Sequence, residues 1–295
     1  MTSEQLLGTE FLSWRRSLLN AGGRTVDFDW LLDIAGGLRW VVIQQVIIDP
    51  SRSVELNRSR KELSVLWERH LSDHVPLQYL VEKCPWRDFE LEVTPAALIP
   101  RQETELLVDF VFEFFHNAPS GRWVDLGTGS GALAVALARG LPGWNGHAVD
   151  SSLEALQLAK RNLHRLSPHS LIQLHCGDWW RPLRSWWGEF TFAVCNPPYI
   201  PSAEIPLLEE VVKKHEPYLA LNGGFDGLEQ TRQIISSANK ALSPGGVLFI
   251  EHHHDQSVAI HELMKKHGLM NLEFRCDLEG LNRFAIGCKS SEKRF

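Results

Sequence analysis

Apolar and polar positions change rhythm along this chain. From Glu4 to Leu19, Leu6, Leu7, Phe11, Trp14 and Leu18 recur near helical spacing, and Gly22-Gly23 ends that element. Trp30 to Gln45 and Arg60 to Leu71 repeat the pattern, with a break at Asp49-Pro50. Phe89 to Val93 alternates apolar and polar, the period of an exposed strand, and Pro95 and Pro100 bound the next segment. Glu103 to Phe115 reads as a helix. Beyond residue 120, short apolar runs alternate with helical patterns. The runs at Trp123–Leu126, Gly146–Val149, Leu171–His175, Phe190–Cys195, Val247–Ile250, Leu272–Arg275 and Phe284–Gly287 predict strands. Ala132–Arg139, Leu153–Leu166, Leu228–Leu242 and Val258–His267 predict helices. This alternation predicts an α/β fold, a doubly wound, mainly parallel seven-stranded sheet with helices on both faces. The last two strands have no helix between them, which predicts an antiparallel edge hairpin. The expected organisation is a small all-helical domain over 1–83, suited to partner recognition, a hinge with a β-hairpin over 84–100, and the α/β domain over 101–295.

Composition narrows this picture. The 295 residues are 44% hydrophobic with a net charge of −6. That supports a sizeable core and argues against a dedicated nucleic-acid binder, which carries a basic face. No charged-then-apolar leader and no run of 18 apolar residues is present, so neither export nor a membrane span is expected. Five cysteines lack C-x-x-C spacing, which points to reduced thiols in a cytoplasmic compartment. The eleven tryptophans are scattered and read as packing residues.

The candidate chemistry lies at strand ends. Asn196-Pro197-Pro198-Tyr199 comes directly after the strand Phe190–Cys195. The Asn196 side-chain oxygen and the Pro197 carbonyl can accept the two N–H bonds of a planar NH2 group. The adjacent prolines restrict the backbone and aim that carbonyl in advance, while Tyr199 can lie against the flat face of the guest. This suits chemistry on an amide or a nucleobase amine. Upstream, the strand ending at Leu126 runs into Gly127-Thr128-Gly129-Ser130-Gly131, whose glycines permit a tight turn and close approach of a ligand. Their spacing is not that of the dinucleotide fingerprint. Asp150 ends the next strand, about 20 residues on, where an acid can bind ribose hydroxyls; it could instead cap the helix at Leu153. Together these residues form a nucleoside site without a pyrophosphate signature, and S-adenosylmethionine fits it.

These segments resemble the peptide chain release factor glutamine methyltransferases, within the class I S-adenosylmethionine-dependent superfamily. The resemblance rests on Pro76-Leu77-Gln78-Tyr79-Leu80, the string from Leu98 to Glu105, Asp125 to Gly131, Asn196 to Ile200, Glu216-Pro217, and Gly223 through Leu228. It implies methylation of the glutamine in the Gly-Gly-Gln loop of translation release factors, which would be the protein partners of a chain expected to be a monomer. It also implies that Gly127 to Gly131 wrap the amino-acid end of the cofactor, that Asp150 binds ribose, that Asp178-Trp179 contact adenine, and that Asn196 through Tyr199 hold the acceptor amide. Arg101 and Asn196 are further candidates for cofactor contact, although Arg101 and Glu103 could also be surface charge at a helix start. The chain departs from the family at Gln102, where proline is usual, at Val81, where glycine is common, and at Glu251-His252-His253, where Glu-Ile-Gly is frequent. The run His252-His253-His254 invites a metal reading, but only His252 and His254 would share a face of an extended segment, and no metal is expected. Leu207 to Lys214 reads as a solvated helix face or a contact for the release factor. The rivals are methylation of a nucleobase amine, methylation of a ribosomal-protein glutamine, and a noncatalytic cofactor-binding scaffold.

Overall fold

The structure is a computed structural model that describes residues 3–115 and 117–291; the remaining residues of the expected first and last domains lie outside the described residues. The chain divides into two compact units. One comprises Met1–Lys83 with Glu209–His215, and the other Cys84–Leu208 with Glu216–Phe295.

The first unit is built from α1 (Gly8–Asn20), α2 (Thr25–Ile34), α3 (Trp40–Ile48), α4 (Arg60–Asp73) and α5 (Leu77–Val81). It also contains a ribbon that was not expected. β1 (Glu4–Leu7) pairs antiparallel with β2 (Ser53–Leu56), so the helix expected from Glu4 starts at Gly8. A Cβ at Gly8 would meet the Pro50 carbonyl at 2.7 Å and the Arg52 carbonyl at 2.8 Å, so this close crossing of the two segments needs glycine. The helix expected over Trp30–Gln45 is two helices, parted at Gly36-Gly37, where Gly37 takes φ 70°. Ser59 caps α4: its hydroxyl accepts from the Glu62 amide, and the Glu62 carboxylate accepts from the Ser59 amide. Phe28 and Trp67 meet edge to face at 4.9 Å in the core, so Trp67 is a packing residue as expected, whereas Trp40, at the start of α3, is exposed.

In the second unit, β3 (Lys83–Trp86) and β4 (Phe89–Glu92) form a two-stranded sheet that turns at Arg87-Asp88. Next come α6 (Glu105–Phe115), β5 (Arg122–Leu126), α7 (Ala132–Gly140), β6 (Asn145–Asp150), α8 (Leu153–Leu166), β7 (Leu171–Cys176) and β8 (Phe190–Cys195). The helix α9 (Glu210–His215) belongs to the first unit, and the second continues with α10 (Tyr218–Leu221), α11 (Glu229–Ala241), β9 (Leu242–Glu251), α12 (Ser257–Lys266), β10 (Leu269–Cys276) and β11 (Asn282–Lys289). The seven strands run in the order β10-β11-β9-β8-β5-β6-β7. All neighbours are parallel except those of β11, which runs antiparallel to both β9 and β10. β5, β6 and β7 wind outward in one direction; β8 then returns to the other side of β5. The order therefore reverses between β5 and β8, and the crevice beyond their carboxyl ends is where open sheets of this kind bind ligands. The layer beneath is aromatic and dry: Trp123, Phe192 and Phe249 are buried, with Trp123 stacked on Phe192. Truncating Phe192 to alanine would cost about 3–5 kcal/mol.

Candidate active site

Where β5 ends, Gly127, Gly129 and Gly131 all adopt positive φ, at 78°, 54° and 84°. The amides of Gly127 and Thr128 both donate to the Val149 carbonyl at 2.9 Å, which ties the loop to β6. The three glycines serve different ends. A Cβ on Gly131 would lie 3.1 Å from the Cα of Ala159 on α8, and one on Gly127 would lie 3.1 Å from the Trp179 ring. Only Gly129 looks into space, its nearest neighbour being the Ala97 methyl at 3.7 Å. Thr128 donates its hydroxyl to Asp125 Oδ2 at 2.6 Å. Ser130 is buried, and its carbonyl accepts from Asn162 of α8.

Asp150 stands beside this loop at the end of β6. Its Oδ2 accepts from the Gly129 amide and its Oδ1 from the Ser152 amide, both at 2.9 Å. The cap of α8 is Ser152, whose hydroxyl accepts from Ala155, so Asp150 is left for the loop and the crevice. A carboxylate has about four lone-pair sites on its two oxygens, and the backbone amides of Gly129, Ser152 and Ser151 do not use all of them. Burial pushes the Asp150 carboxyl up from its ordinary range. Trp179 takes φ 45° and donates its indole N–H to Gln230, with its ring edge set against Gly127. Asp178 is exposed beside Arg181. Arg101 is committed to Glu216, a buried acid 2.7 Å away that also accepts from the Ile99 amide. The strings around Arg101 and Glu216, far apart in sequence, therefore meet in an ion pair.

At the exit of β8, Pro197 is buried and Asn196, Pro198 and Tyr199 are half-buried. Asn196 Nδ2 donates to Thr104 Oγ1 at 2.9 Å, and the Thr104 hydroxyl donates to Glu251 Oε2 at 2.6 Å. Glu251 ends β9 and is 2% exposed; burial lifts its carboxyl to about 7 against the pull of the Thr104 hydrogen bond. Burial likewise pushes the Tyr199 phenol up to about 12. The Tyr199 carbonyl accepts from Gln256 at 3.0 Å, and Gln256 also bonds the Gly227 carbonyl. The next residue, Ile200, exchanges backbone hydrogen bonds with Leu221 and Gly223. The turn after Asn196 is thus clamped by residues from the Gly223–Leu228 string.

The sequence pattern places Thr104 within a motif without giving it a task, and makes Glu251 a structural or rim residue. An acid at a strand end, opposite the Asn196 strand, is the signal that could have singled it out. Asp125 has no task in the sequence pattern either. It is 1% exposed, burial pushes it to about 7, and its Oδ1 is buried with no hydrogen-bond partner among the described residues. Nothing in the pattern marks Gln256. His252 is buried with Nδ1 donating to the His253 carbonyl, and His253 pairs with Asp255 at 2.6 Å. Among the described residues no group of three or more His, Cys, Asp or Glu is arranged to hold a metal ion, and no helix is long and apolar enough to cross a membrane.

Residues 102–226 match the family model described as the methyltransferase small domain. A release factor glutamine methyltransferase from Prochlorococcus marinus is 52% identical over 282 residues, covering 95% of this chain and 96% of that protein. Its counterpart in Gloeobacter violaceus is 43% identical, covering 81% and 82% of the two chains. The one from Caulobacter vibrioides is 32% identical, covering 90% of each. Among solved structures, the catalytic domain of hMettl16 in complex with a MAT2A 3'UTR hairpin superposes with a TM-score of 0.54 at 16% identity, covering 83% of this chain and 86% of that one; the likeness is one of fold.

Proposed function

The chain belongs to the release factor glutamine methyltransferase family, and from that membership and the geometry at the carboxyl ends of β5, β6 and β8 we propose that it methylates the side-chain amide nitrogen of the Gly-Gly-Gln glutamine in translation release factors, with S-adenosylmethionine as donor. The observation that carries this reading is the state of Asn196. Its NH2 end is engaged by Thr104, and among the described residues nothing donates to its Oδ1. A fixed carboxamide oxygen at a strand exit, with a proline carbonyl and a tyrosine ring next in the chain, is a receptor for a flat NH2 group.

The residues that would hold the cofactor suit it. The glycine loop offers backbone at Gly129, Asp150 retains lone pairs for ribose hydroxyls, and Trp179 offers a ring face for adenine beside Asp178. The orphaned Oδ1 of Asp125 and the upward pressure on both acids are what a cationic amino-acid group would relieve. Bound there, the cofactor would supply an electrophilic methyl group on a sulfonium, the methyl–sulfur bond breaking to leave a neutral thioether as the N–C bond forms, with one of the two amide N–H protons released as the nitrogen is methylated.

An amide nitrogen is a weak nucleophile because its lone pair is delocalised into the carbonyl. Asn196 Oδ1 and the Pro197 carbonyl oxygen accept its two N–H bonds, which returns electron density to the nitrogen as it pyramidalises. Those hydrogen bonds strengthen toward the transition state, so they lower the barrier and do more than bind. Tyr199 covers the amide plane and excludes water. Holding nitrogen in line with the methyl group can lower a barrier by about 7–11 kcal/mol in favourable systems. The first unit is the candidate grip for parts of the release factor outside its Gly-Gly-Gln loop, and the enzyme would work in the cytoplasm with its substrate.

The test is mass spectrometry of the Gly-Gly-Gln peptide after incubation of release factor with enzyme and cofactor. A gain of one methylene, about 14 Da, on that glutamine is expected. Methyl incorporation only into nucleic acid offered in parallel overturns the reading. Asn196→Ala is expected to lower kcat by about 10²–10³-fold, the range for removing one preorganised polar partner, with cofactor affinity held within about twofold.

A further inference from the structure

An asparagine side chain has two ends of nearly equal shape, and only the oxygen end can receive an amide N–H. What decides which end faces the acceptor lies outside the Asn196-Pro197-Pro198-Tyr199 motif. We infer that Thr104 and Glu251 are positioning residues that set the direction of the Asn196 carboxamide, by a one-way hydrogen-bond chain from Asn196 Nδ2 through Thr104 Oγ1 to the Glu251 carboxylate. This rests on the function proposed above and adds to it the origin of the acceptor's polarity.

The supply of donors fixes the direction. An ionised carboxylate only accepts. Thr104 has one hydroxyl hydrogen, and at 2.6 Å from Glu251 Oε2 that hydrogen is spent on the acid. Toward Asn196 the hydroxyl then has only lone pairs to offer, so the partner at 2.9 Å must be the NH2 end. Oδ1 is left pointing away from the chain. The three groups come from separate places: Thr104 precedes α6, Asn196 comes after β8 and Glu251 ends β9. Thr104 and Glu251 are 6% and 2% exposed, so water does not compete for their bonds. A buried carboxylate with no direct cation is an expensive feature for a chain to keep, and the relay gives it a task.

A proton on Glu251 reverses the chain. The acid would then donate to Thr104, the Thr104 hydrogen would be free to seek Asn196 Oδ1, and the NH2 end would turn toward an acceptor that is itself NH2. Two donors facing each other form no bond. The groups around Glu251 set the pH at which this happens. Glu103 disfavours its charge, Arg283 on β11 and a hydrogen bond from the same Asn196 NH2 end favour it, and Cys195 and Tyr199 lie within its field. Burial is the largest influence and lifts the acid to about 7. Turnover therefore needs the ionised form and falls as pH drops through a limb at or below about 7.

The experiment measures kcat on intact release factor at saturating cofactor from pH 5.5 to 8.5, with cofactor binding by calorimetry, for wild type and three variants. Thr104→Val is expected to lose about 10²-fold in kcat, the order expected for a misplaced reacting group, with cofactor Kd within about twofold. Thr104→Ser restores the hydroxyl and is expected to return kcat to within about threefold of wild type. Glu251→Gln keeps an accepting oxygen but cannot be protonated; it is expected to turn over about tenfold more slowly than wild type, with the acid limb gone. Wild-type rates in Thr104→Val, failure of Thr104→Ser to recover, or an acid limb that persists in Glu251→Gln would each overturn the inference. Should Thr104→Val fail to bind cofactor, the Thr104→Ser rate and the Glu251→Gln profile decide the matter. A wild-type enzyme inactive on release factor would instead overturn the proposed function.

Discussion

Gly131 and Gly129 sit two residues apart in one loop, both at positive φ, and substitution should do different things to each. At Gly131 a methyl would press on the Ala159 backbone of α8 at 3.1 Å, and the residue would also carry the strain of φ 84°. Backbone cannot step aside as a flexible side chain can. Gly131→Ala is expected to lower stability by about 2–3 kcal/mol, read as a shift in the urea midpoint. At Gly129 the space is open and only the strain of φ 54° remains, about 1 kcal/mol. The added methyl would enter the open space through which the cofactor is proposed to approach the loop, so Gly129→Ala should show mainly as weaker cofactor binding in calorimetry. Equal urea midpoints for the two variants would contradict this division. The turn itself is legible in the sequence, because three alternating glycines between a strand and a helix have few other uses. The reason for each glycine is not, because it depends on which distant side chain packs above it. The sequence shows that Asn196 comes after a strand, but not that Thr104 takes its NH2 end.

Elements bounded by strong periodicity and a good cap match their expected limits closely. α8 spans Leu153–Leu166 as expected, with Ser152 capping it, and β8 spans Phe190–Cys195 as expected. The apolar pattern predicts β9 from Val247, yet it begins at Leu242, because the pairing with β8 jumps from Phe190↔Leu242 to Phe192↔Val247 across a bulge holding Gly245 at φ 76°. β1 and β2 escape the pattern because four-residue edge strands carry too little alternation to stand out. β6 hides a polar row inside an apolar strand. Arg122 Nη1 lies 2.7 Å from His147 Nε2, and His147 Nδ1 lies 2.9 Å from His175 Nε2. Arginine only donates, so His147 Nε2 accepts and the proton of the neutral ring sits on Nδ1, facing His175. Burial first, then His175 and Arg122, push the His147 imidazole down from 6.5 to about 4. Between those values the unfolded chain binds more protons than the folded one, so stability rises with pH. The contribution is complete above 6.5 and is lost as pH falls through about 4. Its full size is about 3 kcal/mol. Urea unfolding of wild type and His147→Gln at pH 5 and pH 7 checks this: the variant should lose less stability on acidification. The raised acids Asp125 and Glu251 act with the opposite sign in both proteins and cancel from the comparison. Identical pH differences would remove His147 from the account.

At the scale of the whole chain, the segments named by motif are stitched to one another by bonds that no motif contains. The Leu98–Glu105 string reaches Asn196 through Thr104 and Glu216 through Arg101, and the Gly223–Leu228 string reaches Tyr199 through Gln256. The alternation of strands and helices suffices to read the doubly wound sheet, since each element announces itself locally. The sorting of residues into units does not follow from it. Glu209–His215 belongs with the first unit although more than 120 residues of the second unit's sequence precede it, and its mixed charges resemble an ordinary solvated face. Its helix α9 is six residues long, too short to persist alone in water. Val211 and Val212 are half-buried, and His215 Nε2 bonds the Asp73 carbonyl, at the end of α4, at 2.9 Å. Removing residues 1–83 takes away that carbonyl and the rest of the unit to which the segment belongs, and the segment should unfold locally. Trypsin then finds Lys213 and Lys214 in an open chain, whereas in the full chain they are held in a helix and ion-paired to Glu210. Limited proteolysis with peptide mass mapping should show cleavage at Lys213 and Lys214 at least tenfold faster in the truncated protein, because access to a locally opened site scales with the population of the open form. Equal cleavage rates in the two proteins would mean that α9 stands without the first unit, and that the division of the chain at Lys83 is clean.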